Sequence, residues 1–256
     1  MTADTIAAAI VETRKALGKM QAYPGPAPED LGQALAIQDA VVRRFGEPVA
    51  GWKIGCTSKA AQETLGTDGP FFGPLIGSRF YASGAQVETA PTSLRVVEPE
   101  IALRLGRDIA PRSEPYSVEE VMAAVETVHP SLEVIDRRLP GGFADGVLWH
   151  ITDCGLSDAL VLGPGTPGIA AHALPDIAVE ARVNGDVVST GHGRNALDGP
   201  QFALQWIANT FSKLGRTLGA GQVVSTGLLT SIFTLNPGDE IEAEYAELGT
   251  VSAKVL

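Results

Sequence analysis

The twelve residues Leu94–Leu105, LRVVEPEIALRL, combine β-formers with alternation, and they read as a strand. Residues two apart in a strand point to one face, so Glu98 and Glu100 share a side of it. Their neighbours Val96, Val97, Ile101 and Leu103 are apolar, which places two carboxylates in a segment that should otherwise be buried. Pro99 between them has no N–H to give to a ladder, so it predicts an edge or a bulge. Outward from this run, 49–57 (VAGWKIGCT), 132–135, QVVSTG, DEIEAEYA and the terminal TVSAKVL also read as strands. Asn184-Gly185 and Pro237-Gly238 mark turns, the first of them a hairpin.

Helical spacing is confined to a few places. Ile6, Ile10 and Leu17 predict a helix over 4–21, and a second runs from Leu31 to Phe45 and stops before Gly46. Tyr23-Pro24-Gly25-Pro26-Ala27-Pro28 breaks the chain between them. Shorter helices are predicted at Lys59–Leu65, after the Ser117/Glu120 capping box, and at Pro200–Leu214 with Asp198 as its cap. Strands and helices do not alternate regularly, so a doubly wound parallel sheet is excluded in favour of an α+β fold. The expected organisation is a helical appendage at 1–48 and a β-rich catalytic domain at 49–256.

The chain has 256 residues, 45% of them hydrophobic and 19% charged, which suits a packed globular protein. Its formal net charge of -11, with no basic run, argues against nucleic acid and anionic membranes as partners. Two cysteines far apart, Cys56 and Cys154, form no CxxC, so neither a disulfide framework nor a zinc–thiolate site is expected. The N-terminus lacks the order of a signal peptide, and no apolar run approaches the ~20 residues that span a bilayer. A soluble, cytoplasmic protein in a reduced setting is the expectation.

Chemistry concentrates on carboxylates. Glu133 interrupts a second apolar strand, Ser131–Asp136, and a third acid would complete an all-oxygen set suited to Mg²⁺ or Mn²⁺. Three protein ligands in an octahedral shell leave three positions for substrate oxygens and water. Against this stands chance in an acidic chain: Glu242-Ala243-Glu244 has the same spacing and reads as a solvated strand face. Lys53 lies in the apolar Gly51–Gly55 strand, either with its stem packed and its ammonium in water, or turned inward to acids or a substrate carboxylate. The loop Gly191-His192-Gly193-Arg194-Asn195 reads either as a polar surface loop or as a close approach of backbone to substrate. No GxSxG, HExxH or GxxxxGK[ST] is present.

Taken in order, WKIGCTS (52–58), EPEIAL (98–103), SLEVID (131–136), the glycine-rich 191–200 segment, STG (225–227) and PGDEIEAE (237–244) resemble the fumarylacetoacetate hydrolase superfamily. Within it they are similar to the branch of 2-oxopent-4-enoate hydratases and oxalocrotonate decarboxylases. The resemblance implies a mixed β-roll core, a homo-oligomer, and Mg²⁺ or Mn²⁺ held by Glu98, Glu100 and Glu133, with Lys53 as the pocket lysine. Asp153 and Ser157 are candidates for positioning water, and Phe71, Arg194, Asn195 and Thr226 are expected substrate contacts, Arg194 and Asn195 because a close approach at the glycine-rich loop would bring them to the pocket. The expected reaction is hydration of a 2-hydroxy-2,4-dienoate or 2-oxo-enoate in aromatic meta-cleavage catabolism. A 2-oxo acid decarboxylase, an acylpyruvate-type C–C hydrolase and a non-catalytic metal-binding partner subunit are the alternatives. The chain departs from the hydratase pattern in three places. Phe71 stands where those enzymes carry an acid, Cys154-Gly155-Leu156-Ser157 replaces Asn-Ala-Ser-Ser, and Arg194 and Asn195 stand where small residues are usual.

Overall fold

The computed structural model describes residues 2–91 and 93–256. Its centre is the strand quoted above, β5 (Val96–Leu105), flanked by β6 (Val125–Ile135) and β10 (Val223–Leu228). With β1 (Val49–Gly55), β2 (Phe71–Ile76), β3 (Phe80–Ala82) and β7 (Ser157–Leu162) they form one mixed sheet, in the order β2-β1-β10-β5-β6-β7-β3. The short β11 (Phe233–Thr234) also pairs with β5. A second sheet runs β4-β13-β12-β8-β9, from β4 (Ala85–Val87), β8 (Ala178–Val183), β9 (Asp186–His192), β12 (Glu240–Tyr245) and β13 (Gly249–Val255). This is the α+β, mixed-sheet architecture expected.

The two sheets share one apolar core. Ile241, Ala243, Val251 and Ala253 from the second sheet pack with Val97, Leu103, Leu132 and Val134 from the first. Period-two alternation makes this possible: β12 buries Ile241, Ala243 and Tyr245 and exposes Glu240, Glu242 and Glu244, so the Glu242/Glu244 pair is the solvated face expected. The Tyr245 hydroxyl donates to the Ser131 carbonyl at 2.9 Å and ties the sheets together beneath the carboxylates.

Helices α1 (Ala3–Lys15) and α2 (Leu31–Phe45) pack into the body. Ile6, Ile10 and Val11 meet Ile37 and Val41 in a core that also takes Leu139, Trp149 and Cys154. Ala34 and Leu35 reach the main core. Helix α1 ends at Lys15, six residues short of the expected 21, because Leu17 takes a positive φ of 46°. The short helices are α3 (Lys59–Leu65), α4 (Val118–Met122, with the Ser117/Glu120 capping box) and α5 (Val147–Thr152). Helix α6 (Pro200–Lys213) is not capped by Asp198; its N-cap is Gly199, and Asp198 sits one residue earlier at φ 64°. The strand expected at 132–135 is the last third of β6, whose earlier part, with its threonine, histidine and proline, carries no apolar alternation. Among the described residues no helix is long and apolar enough to cross a membrane.

Candidate metal centre and its pocket

Register brings the carboxylates together. Glu98 faces Glu133 across the β5–β6 ladder, and Glu100 faces Ser131, so all three acids project from one side of the sheet. One oxygen from each of Glu98, Glu100 and Glu133 lies within 4.8 Å of the others. Glu100 and Glu133 are fully buried. Glu100 Oε1 and both oxygens of Glu133 have no hydrogen-bond partner. A buried unsatisfied carboxylate oxygen is costly. Three converging oxygens with spare lone pairs fit a hard divalent cation, and a thiolate or imidazole set for zinc is not at hand.

The bulge foreseen at Pro99 falls in its partner strand. The β10–β5 register slips between Ser225 and Leu228, and the Leu229 N–H donates to the Pro99 carbonyl at 3.0 Å. The slip frees the Gly227 N–H, which donates to Glu100 Oε2 at 2.9 Å beside the Ser225 hydroxyl at 2.5 Å. Gly227 is required there, since its φ is 109° and a Cβ would stand 2.2 Å from Thr57 Oγ1. Sequence reasoning missed Ser225 and Gly227 in this role, and it took the residue between them, Thr226, as a substrate contact. Thr226 lies on the opposite face and donates to the Ile101 carbonyl at 2.7 Å, outside the pocket.

Lys53 turns inward. It stands in line with Ser225 of β10 and, through it, Ala102 of β5, two small residues on the carboxylate side. Its ammonium lies 3.0 Å from Glu133 Oε2, an ion-pair contact outside hydrogen-bond geometry, and donates to the Gly155 carbonyl at 3.1 Å. It sits 5.9 Å above the centre of the Phe71 ring. Burial opposes its charge, but Glu133, Glu98 and Glu100 outweigh it and raise the ammonium pKa above the ordinary lysine range. Burial pushes the Glu98 carboxyl up to about 7, with Lys53 opposing and Glu133 adding. Glu100 is raised further, by burial and then by Glu133 and Glu98. A divalent cation among them would relieve this mutual repulsion.

Glu98 opens onto a cavity of about 590 Å³, with Glu100 and Glu133 buried beside it. Leu65, Phe71, Ile135, Phe143, Leu156 and Ile232 supply apolar wall, and Asn195 a polar edge whose amide donates to the Leu229 carbonyl at 2.6 Å. Among the described residues, Lys53 and Glu98 are the only charged ones that line it. Helix α3 gives one wall through Ala60, Ala61 and Thr64. Ile135 and Leu156 fall in segments quoted above, but Leu65, Phe143 and Ile232 were not picked out from sequence, since they come from distant segments with no motif of their own.

Of the other expected residues, Phe71 and Asn195 line the cavity and the rest do not. Arg194 points to solvent and pairs with Asp176. The glycines beside it approach protein, not substrate: a Cβ on Gly191 would meet the Leu229 carbonyl oxygen at 1.9 Å, and one on Gly193 the Leu174 oxygen at 1.9 Å. Asp153 is fully buried behind the cavity, 2.8 Å from Arg14 and 3.5 Å from Arg138. Ser157 is buried beside it, and its carbonyl accepts from Arg14 at 2.5 Å. Positioning water is therefore reassigned away from Asp153 and Ser157. Between them Cys154, Gly155 and Leu156 all have positive φ (53°, 65° and 67°), a left-handed turn that costs about 1–2 kcal/mol for each non-glycine residue. A Cβ on Gly155 would press on Lys53 Cδ at 3.0 Å.

The comparisons agree with this geometry. The fumarylacetoacetate (FAA) hydrolase C-terminal domain matches residues 54–256. The chain is 34% identical over 230 residues to 2-keto-4-pentenoate hydratase 2 of Dechloromonas aromatica (strain RCB), covering 88% of this chain and 86% of that one. It is 30% identical over 212 residues to 4-oxalocrotonate decarboxylase of Pseudomonas sp. (strain CF600), covering 82% and 79%. The solved 4-oxalocrotonate decarboxylase from Pseudomonas putida G7, complexed with magnesium and adipate, superposes with a TM-score of 0.87 at 25% identity, over 99% of this chain and 97% of that one. With the ordered motifs, the two-sheet core and the triad of converging glutamates all in place, this chain belongs to the fumarylacetoacetate hydrolase family.

Proposed function

We propose that this protein is a divalent-metal-dependent hydratase, a lyase that adds one water across a short 2-hydroxy-2,4-dienoate or its 2-oxo-enoate form. The observation that carries the reading is the triad Glu98, Glu100 and Glu133, with three partnerless oxygens, reached through Glu98 from a cavity with a largely apolar wall. The relatives named hydratases support it at 34% identity over most of both chains. Glu98, Glu100 and Glu133 would hold Mg²⁺ or Mn²⁺, which when bound supplies a Lewis acid for the oxygens of a 2-oxo acid.

The chain's own residues do the rest. Lys53 has three N–H donors and spends one on the Gly155 carbonyl, so beside its ion pair with Glu133 it keeps a donor for a substrate carboxylate. Its ammonium stands against an apolar ring, where a charge contact is strong because water is scarce. Leu65, Phe143, Leu156 and Ile232 take the carbon chain and keep bulk water from it. Asn195 contributes an amide at the edge. The reaction is placed in the cytoplasm, in keeping with two buried cysteines that are both free.

Decarboxylation is the second reading. Among the described residues, Glu98 is the only acid lining the cavity, and Phe71, not an acid, faces Lys53. That leaves few groups to handle both the proton taken from an added water and the proton given to carbon, whereas losing carbon dioxide needs one proton, delivered to the carbon it leaves. The deciding experiment is an ultraviolet scan of metal-loaded protein with 2-hydroxypenta-2,4-dienoate, beside EDTA-treated protein. The hydratase reading expects metal-dependent loss of the dienol chromophore and a 4-hydroxy-2-oxo acid product. An unchanged chromophore, with carbon dioxide released from a 2-oxo diacid, would replace it with the second.

A further inference from the structure

Arg14 belongs to helix α1, far in sequence from any pocket residue, yet it is buried against the back of the active site. One of its guanidinium nitrogens donates to the Asp153 carboxylate at 2.8 Å and to the Asp153 carbonyl at 3.4 Å. The other donates to the Ser157 carbonyl at 2.5 Å. Asp153 and Ser157 are the residues on either side of the left-handed turn Cys154-Gly155-Leu156. Left-handed backbone at two non-glycine residues persists only where the surroundings hold it. The planar fork of an arginine suits the task, because it can reach two acceptors at fixed separation. The middle of the turn presents the Gly155 carbonyl to Lys53, and its last residue, Leu156, lines the cavity.

We propose that Arg14 is a positioning residue: by bracing both ends of the strained 154–156 turn it aims the Gly155 carbonyl, and through it Lys53, into the active site. The proposal rests on the reading of Lys53 as a substrate-facing cation. It makes α1 a working part of the site. Asp153 then orients Arg14 and does not touch substrate. Arg138, 3.5 Å from Asp153, supplies a second positive charge on the outer side of the same carboxylate.

The test uses the full-length chain with Arg14→Gln and Arg14→Lys. In metal-free protein, hydrogen exchange is read at the Leu156 and Ser157 amides, which close the turn onto Asp153 and Cys154. Acylation of Lys53 by a small succinimidyl ester is followed by mass spectrometry. Arg14→Gln is expected to raise exchange at those two amides at least tenfold, leave exchange in β5 unchanged and speed Lys53 labelling. In the metal-loaded enzyme it should lower kcat at least tenfold and move KM far less. Arg14→Lys keeps the charge but has a single nitrogen for two acceptors, so it should fall between. If Arg14→Gln does not fold, Arg14→Lys carries the same comparison. Wild-type exchange at 156 and 157, or wild-type labelling of Lys53, in the folded variant would overturn the proposal. Neither readout needs substrate, so failure of wild-type protein to hydrate the dienoate would remove the proposed function and leave this inference to be judged by itself.

Discussion

Glu100 is the residue on which most of the site converges. It has one oxygen held by Ser225 and Gly227 and the other without a partner. Removing it leaves Glu98 and Glu133 alone, so Glu100→Ala should abolish metal-dependent turnover and weaken Mn²⁺ binding at least ~100-fold by calorimetry, more than the ~10–100-fold typical of an outer-shell change. Ser225→Ala tests that outer shell: it should cost about 10–100-fold in metal affinity, with the fold intact. Unchanged Mn²⁺ affinity in both variants would place the metal elsewhere. Glu98, Glu100 and Glu133 were all legible in the sequence, because a carboxylate inside an apolar strand stands out. Ser225 was not, because a serine in STG looks the same on either face until the register with β5 is known.

At the scale of elements, the slip in β10 matters more than any one side chain of that strand. It lets a backbone N–H take the place of a second hydroxyl at Glu100. Gly227→Ala puts a Cβ against Thr57 at a φ that L-residues avoid, and it should destabilise the protein by about 1–3 kcal/mol in urea unfolding. Its Mn²⁺ affinity should fall as well, because the N–H to Glu100 is displaced. A variant as stable as wild type with full affinity would show that the bulge is incidental. The elements themselves were largely visible. The bounds of α2 and α3, the Asn184-Gly185 hairpin and the solvated Glu242/Glu244 face follow from caps, turn residues and alternation. The first part of β6 and the end of α1 were not, because tertiary contacts outweigh propensity there.

For the whole molecule, a buried ionic chain links the N-terminal helix, the turn behind Lys53 and the edge of the large sheet. Asp158 pairs with Arg138 and, at 2.5 Å, with Arg79. Burial works to raise its pKa, but Arg138, Arg79 and Arg14 outweigh it and hold the carboxyl below the usual range. A depressed carboxylate stabilises the fold fully above its unfolded pKa of about 3.9, and that contribution is lost as pH falls through the lower folded value. Asp158→Asn should therefore cost on the order of 3 kcal/mol at pH 7, and the gap to wild type should close as urea unfolding is repeated below pH 4. A gap that stays constant with pH would assign the loss to packing alone. We also propose that copies of the chain associate, since edge strand β9 leaves Val187 and Val188 52% and 46% exposed. Light scattering should give a multiple of the single-chain mass, reduced when both valines are changed to lysine; a single-chain mass in wild type would refute it.

By itself the sequence determined the class of fold and marked Glu98, Glu100, Glu133 and Lys53 as charges inside apolar strands, and the ordered motifs tied them to one candidate site. The fold class and the marked charges rest on local signals: alternation, a capping residue, or a charge where the pattern demands an apolar side chain. Only the tertiary structure decided which face of β10 meets Glu100, that Asp153 and Ser157 answer to Arg14, and that Arg194 faces solvent. Those facts depend on strand register and on contacts such as Arg14–Asp153, 139 residues apart. Side-chain direction reverses with a one-residue slip, and no short window of sequence carries the register that prevents it.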